Sequence, residues 1–302
     1  VQNGAVVSDL PTGVNPRTAL GQKADGTLVF YTVDGRKPGH SVGASLTQVG
    51  ERLAELGCVS AICLDGGGST TLTATMPDAV SAAAVNRPSG GSERAVSNQV
   101  FLVASGSSSG QLDHFYVSAD SSYVLAGSKV KLSAAPVDTN YIPMSGASYT
   151  LSASAGEIAG DVLTTPASGG DVTVTASSSG RSGSTVVHAI ATPDAITVKN
   201  GSTAVTTLTA APGGTVQLTA SAVYRHLALT ADPEAFTWTV SDGLGTVDKT
   251  GKFTAGTPGT GTLTVSAGGR SATVSVTVSH LALAAVEDFE TQAPPLASYS
   301  YG

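Results

Sequence analysis

The chain has 302 residues with 22 acidic and 15 basic side chains, a formal charge of −7, which argues against a nucleic-acid or anionic-membrane partner because either would want a basic face. Charged residues make up 12%, about half the usual quarter, so solubility rests on abundant hydroxyls and glycines. The length suits two or three domains. No run reaches the 18 or so apolar residues of a membrane span, and Val1 starts inside a pattern with neither Met nor an export signal, so the chain reads as part of a longer one.

Residues 1 to 104 mix strand and helix signals. Thr27 to Val33 reads as a strand and Asp34-Gly35 as a turn. Ser45 reads as the N-cap of a helix carrying Leu46, Val49, Leu53 and Leu56 at helical spacing, with Gly57 ending it. Val59 to Leu64 is a mostly apolar, buried strand, and Gln99 to Val103 a last strand. Cys58 and Cys63, five apart on one strand, point to opposite faces and cannot pair. They read as thiols acting as small apolar residues.

Ser105 to Gly110 is a flexible linker by composition. Beyond it lies a repeat of about 90 residues, visible when Gly127-Ser-Lys-Val-Lys-Leu132 is set beside Gly213-Gly-Thr-Val-Gln-Leu218, and Val172-Thr-Val174 beside Leu263-Thr-Val265. Each copy has short alternating strands at β-sandwich spacing. The domains expected are thus 1–104, a 105–110 linker, sandwiches over 111–191 and 192–279, and a 280–302 tail in which Val286 to Glu290 opens a further β domain. Trp238, on one strand face with Phe236 and Val240, is a core residue.

Chemistry concentrates in Leu64-Asp-Gly-Gly-Gly-Ser-Thr-Thr71. Consecutive glycines are costly in entropy, yet they let backbone N–H groups approach an anion, with the hydroxyls as extra donors. A phosphate cradle over Gly66, Gly67, Gly68 and Ser69 is the expectation, and a flexible loop the alternative. The lysine and spacing of a Walker loop are absent. Arg17, Arg87 and Arg94 lie at strand ends in a chain poor in arginine, and guanidinium forks suit phosphate oxygens.

Gly39-His-Ser-Val-Gly43 fits the GxSxG pattern, but a loop separates Ser41 from the strand and the later histidines all lie in the sandwich region, so Ser41 reads as a loop residue. No paired ligand spacing supports a metal, and no cofactor motif is present.

Six ordered motifs, Asn15-Pro-Arg-Thr-Ala-Leu-Gly21, Asp25-Gly-Thr-Leu28, Val33-Asp-Gly-Arg36, Leu64 to Thr71, Asn86-Arg-Pro88 and Glu93-Arg-Ala-Val-Ser-Asn98, resemble the phosphodiester glycosidases. The resemblance covers residues 1 to about 104 and corresponds to the C-terminal part of that family's catalytic domain. The region Ala195 to Ser279, and more weakly Leu112 to Ala191, resembles bacterial immunoglobulin-like domains. The fold class expected is therefore a mixed α/β catalytic portion followed by two all-β sandwiches.

The glycosidase resemblance implies hydrolysis of the bond between a sugar's anomeric carbon and a phosphodiester oxygen, outside the cell or at its surface, without a cofactor. The partner implied is a sugar-1-phosphodiester or a phosphate-containing envelope glycan, with association with the cell wall. Arg17 with Thr18, or Arg94, and the N–H groups of Gly66 to Ser69 would hold the departing anion. Asp65 would act as base, nucleophile or charge stabiliser, or else orient its own loop by accepting backbone hydrogen bonds. Glu93 is a candidate second carboxylate, Arg94 and Ser97 carry over from the family motif, and Asn98 and Thr70 suit sugar hydroxyls. A surface glycan binder without catalysis, its sandwiches serving as spacers, is the competing reading.

Overall fold

The computed structural model describes residues 1–79, 81–103 and 106–280. The tail that was to open a further β domain, and Ser105 of the linker, lie outside them. The chain divides into two compact units, one of residues 1–191 with 223–231, the other of residues 192–222 with the chain from 232 onward.

In the first unit, β1 (Arg17–Lys23) and β2 (Leu28–Val33) form a hairpin closed at Asp25-Gly26, where Asp25 accepts the Thr27 N–H at 2.9 Å and Gly26 takes a φ of +88°. Helix α1 (Leu46–Glu55) follows, started by a capping box in which Ser45 and Gln48 serve each other's backbone N–H. Gly57, at φ +86°, turns the chain into β3 (Cys58–Cys63). The sheet order is β2-β1-β3 with both neighbours antiparallel to β1, so the helix links two parallel outer strands across a central antiparallel one. Val49 and Leu53 bury one sheet face with Ala19 and Cys58, worth about 1.5–3 kcal/mol for each large aliphatic side chain. Gly21 is required under Cys58, because a Cβ there would stand 2.6 Å from Sγ.

An extra residue in β3 opposite Gln22/Lys23 alters the simple alternation: Cys58 pairs with Lys23 and Cys63 with Ala19, positions of one parity on β1. The two cysteines therefore share a sheet side instead of pointing oppositely. Both are free, Cys58 buried and Cys63 exposed.

The other sheet face aligns Leu20 with Phe30 and Ile62, and Ile62 is 61% exposed. Beyond β3 come one 3-10 turn (Gly67–Ser69) and a two-residue pairing of β4 (Thr73–Ala74) with β5 (Ala83–Ala84). The last strand expected at Gln99 to Val103 does not form, and Phe101 is 75% exposed. An unbroken apolar run needs a slot covered on both faces, which no sheet among the described residues offers it. The expected α/β portion thus amounts, among the described residues, to a three-stranded antiparallel sheet with one helix, and the molecule as described is predominantly β.

The first sandwich uses β6 (Leu112–Ala119), β7 (Tyr123–Leu125), β8 (Lys129–Asp138), β9 (Thr150–Ala153), β10 (Glu157–Ala159), β11 (Val162–Thr164), β12 (Gly170–Ser178) and β13 (Arg181–Ile190). Its sheets are ordered β10-β11-β8-β6 and β7-β13-β12-β9, and β7 runs parallel to β13. Val172, Val174, Leu163 and Val187 are fully buried between them. Residues 223–231, with β18 (Leu227–Leu229), cluster with this unit, and Thr230 bridges in parallel to Val124.

The residues expected as a flexible linker are tied down. Asp138, wholly buried, accepts the Ser108 hydroxyl at 2.7 Å and the N–H groups of Ser109, Asn140 and Ile142. Asn140 also donates to the Ser107 carbonyl. Burial pushes the Asp138 carboxyl up, but those four donors outweigh it and hold the group far below the usual carboxylate range.

The second unit contains β14 (Ala195–Asn200), β15 (Thr203–Ala204), β16 (Thr207–Ala210), β17 (Thr215–Tyr224), β19 (Thr237–Val240), β20 (Gly245–Val247), β21 (Lys252–Ala255), β22 (Gly259–Ala267) and β23 (Arg270–Val278). Its sheets run β15-β14-β17-β21-β20 and β16-β23-β22-β19, with β16 parallel to β23. Apart from β15, and β18 which also pairs with β17, this is the strand order of the first sandwich, so the sequence repeat is a structural one. Leu263 and Val265 are fully buried where Val172 and Val174 are in the first copy. Trp238 lies against Gly251, where a Cβ would stand 2.9 Å from the indole. No described helix is long and apolar enough to cross a membrane.

Candidate active site

The glycine loop leaves the end of β3, and its three glycines have three separate causes. At Gly66 a Cβ would stand 2.8 Å from the Pro16 carbonyl oxygen. Gly67 has a φ of +62°. At Gly68 a Cβ would come 2.6 Å from Cζ of Arg94, whose guanidinium lies directly on that glycine. Only the third points outward to chemistry.

Most of the expected cradle is engaged within the protein. The Gly66 N–H donates to its neighbour Asp65 at 2.9 Å, Gly67 to the Pro16 carbonyl at 2.9 Å, and Ser69 to the Gly66 carbonyl at 3.2 Å. Of the four residues expected to form it, only Gly68 lines a cavity. Asp65 is exposed and does what its alternative reading said, accepting a hydrogen bond from its own loop.

The guanidinium groups also differ from expectation. Arg17 donates to the carbonyls of Ala44 and Gly13 and thus holds the chain before β1. Arg36 stands by the loop instead, its Nη atoms 3.4 Å from where a Gly67 Cβ would be. Its Nε and Nη2 both donate to Asn15 Oδ1, at 3.2 and 2.6 Å, and its backbone is left-handed at φ +56°. That conformation is costly for a residue with a long side chain and marks a held position.

Arg36, Gly68, Ser89, Gly90, Ser92, Glu93 and Arg94 line one cavity of about 310 Å³. The structure therefore unites Gly68, Glu93 and Arg94 of the expected set and adds Arg36. It does not bring Asp65, Arg17, Thr18, Ser97 or Asn98 to the cavity lining. Thr70 is 1% exposed, and the hydroxyls of Thr18, Thr70 and Thr71 are buried without a partner, so Thr70 does not face the cavity as a sugar contact. Two guanidiniums against one carboxylate leave the lining net positive, suited to an anion.

Beside the cavity, Asp34 accepts hydrogen bonds from Asn86 Nδ2 at 2.9 Å and from the Arg87 N–H at 3.0 Å, and pairs with His40 Nε2 at 2.8 Å. Burial pushes its carboxyl up, but the bonds from His40, Asn86 and Arg87 prevail and keep it below the ordinary value. The Ser41 hydroxyl donates to the Asp34 carbonyl rather than to His40, so the GxSxG stretch forms no nucleophile and base pair. Among the described residues no cluster of three or more metal-binding side chains occurs. Neither Arg36 nor Asp34 was singled out by sequence. The available signal was their shared motif, Val33-Asp-Gly-Arg36, where the Asp-Gly pair read as a turn.

A Bacillus subtilis (strain 168) protein, the SPbeta prophage-derived uncharacterized protein YomE, is 43% identical over 82 residues, which is 27% of this chain and 12% of that one. The chain therefore spans about an eighth of that relative. Among solved structures, the Yersinia pseudotuberculosis adhesin InvE is 17% identical with a TM-score of 0.26, covering 58% of this chain and 62% of that one. Domains 4 and 5 of the S-layer protein SbsC are also 17% identical, at TM-score 0.25, covering 56% and 100%. Residues 1–103, about a third of the chain, match the family model for phosphodiester glycosidases.

Proposed function

We propose that the cavity at Gly68 and Arg94 binds the phosphate of a sugar-1-phosphodiester, and that the protein hydrolyses the bond between the anomeric carbon and the phosphodiester oxygen. The observation that carries this reading is the seating of the Arg94 guanidinium on Gly68, with Arg36 over the adjacent glycine in the same cavity. As the carbon–oxygen bond breaks, its electron pair moves to phosphate, which gains a second negative charge. Two guanidiniums and the Gly68 N–H interact more strongly with that developing dianion than with the diester, which is what lowers a barrier. A phosphate leaving group also lessens the need for a strong general acid. Glu93, in the cavity wall, is the carboxylate placed to meet water or the oxocarbenium-like carbon, while Asp65 stabilises the loop and its charge. The free sugar and a phosphomonoester are the products. The reaction takes place outside the cell or at its surface on a phosphate-containing envelope glycan, with the sandwiches as spacers associated with the cell wall.

The test is release of free sugar from UDP-sugars and wall-polymer phosphodiesters by the whole protein. Arg94→Ala is expected to cut kcat/KM by about 10²–10³-fold and Arg36→Ala by a similar order. Glu93→Gln should cost more than Asp65→Asn. No sugar released across the panel would overturn the catalytic reading. Calorimetry that shows phosphate-sugar binding without turnover would favour the competing one, a non-catalytic glycan binder, for which the engagement of Asp65 by its own loop speaks.

A further inference from the structure

We propose that Asp34 and Asn86 form a polar latch that positions Gly68 and Arg94 relative to each other, making both of them positioning residues of the anion cavity. The inference rests on the reading of that cavity as an anion site. Between β3 and β4 the glycine loop has no sheet partner beyond its single 3-10 turn. Its first half is fixed by the Gly67 N–H donating to Pro16. Its second half is held at Leu72 by the Val85 N–H, which donates to the Leu72 carbonyl at 2.8 Å, and by one side chain that spans it: Asn86 Oδ1 accepts the Leu72 N–H at 2.8 Å, and Asn86 Nδ2 donates to the Thr70 carbonyl at 3.1 Å. Asn86 thereby bonds the loop backbone as a neighbouring strand would. The loop's own threonine hydroxyls give no such support, since those of Thr70 and Thr71 are buried and unpartnered.

Asn86 is in turn oriented by Asp34, which accepts from its Nδ2 and so decides which amide end faces Leu72. The same carboxylate takes the Arg87 N–H on both oxygens at 3.0 Å, fixing the start of the segment that runs through Ser89 and Ser92 to Arg94. Asp34 follows β2 directly and is 15% exposed, so the anchor belongs to the sheet. One carboxylate thus joins both cavity walls: the glycine loop through Asn86, and the arginine wall through Arg87. Displacing a donor by an ångström from where an anion binds is enough to cost orders of magnitude, so a latch outside the cavity can still control it.

Two readouts on the whole protein test this. The first is amide hydrogen exchange, which needs no ligand. In Asn86→Ala, exchange over residues 66–72 is expected to rise at least tenfold while exchange in α1 and both sandwiches stays unchanged. The second is titration with inorganic phosphate followed by the Gly68 amide resonance, where Asn86→Ala is expected to weaken affinity about tenfold. Asp34→Asn, which keeps acceptor capacity, should show the same pattern at smaller amplitude and serves where the first variant does not fold. Unchanged exchange over residues 66–72 overturns the latch. Raised exchange with unchanged phosphate affinity reduces it to a scaffold and overturns the positioning role. If the unmodified protein shows no phosphate shift at Gly68, the anion-site reading fails, and with it the positioning role, while the exchange result still decides whether the latch exists.

Discussion

The two sandwiches and the first 103 residues solve the same problem unequally. Each sandwich closes an alternating set of strands over a dry interior: Leu163, Val172 and Val174 in one, Leu218, Leu263 and Val265 in the other, none with any exposed surface. The three-stranded sheet of the first part buries only the face under α1. Its other face leaves Ile62 61% and Leu28 47% exposed. Apolar burial in this molecule is concentrated in the repeats, whereas the proposed site sits on a thin sheet whose loops are fixed by polar bonds. This is the arrangement expected where a site needs adjustable backbone and the scaffold needs packing.

The sharpest way to break that comparison is a matched pair of truncations. Leu163→Ala should destabilise its sandwich by about 2–5 kcal/mol, read by denaturant unfolding followed at resonances of that sandwich. Ile62→Ala should cost well under about 1 kcal/mol by the same measurement, because little area leaves water there. Equal losses would mean the open face is covered in solution.

The glycine loop supplies the next contrast. Gly68→Ala should displace the Arg94 guanidinium and lower kcat/KM by about tenfold to a hundredfold with little change in unfolding midpoint. Gly67→Ala should do the reverse, costing about 1–2 kcal/mol of local stability through its left-handed backbone. Similar activity losses in both would remove the distinction between a contact glycine and a turn glycine.

Acid gives the smallest of these effects. Asp138 is held below its unfolded value of about 3.9, so its contribution is complete above that pH and is lost as pH falls below it. The thermal midpoint of the first sandwich should therefore drop between pH 5 and pH 3 by more than that of the second. Asp138→Asn should lower the midpoint at pH 7 and remove that extra acid sensitivity.

What the amino-acid order disclosed depended on whether the cause was local. Alternation along Val172 to Val174 and Leu263 to Val265 exposed the repeat, and Ser45 ahead of the spacing of Leu46, Val49 and Leu53 exposed the helix start, because in each case the determining residues are sequence neighbours. β1 went unseen since Arg17 to Lys23 mixes charge, glycine and small residues, and only pairing on both sides makes it a strand. The Ser and Gly run before Gln111 resembled a free linker because the carboxylate that grips it lies 30 residues later. Within the site, Gly68, Glu93 and Arg94 were legible by chemical type. Arg36 was not, since its place depends on Asn15 and on a backbone conformation that composition does not reveal.

One detail of the sandwiches bears on a chain held at both ends. In each copy a short early strand runs parallel to the final long one, β7 beside β13 and β16 beside β23. Tension drawing the early strand back and the final strand forward slides the two past each other, so the hydrogen bonds between them must rupture together rather than unzip singly. Each module is thus built to resist mechanical extension along the direction in which the polypeptide passes through it.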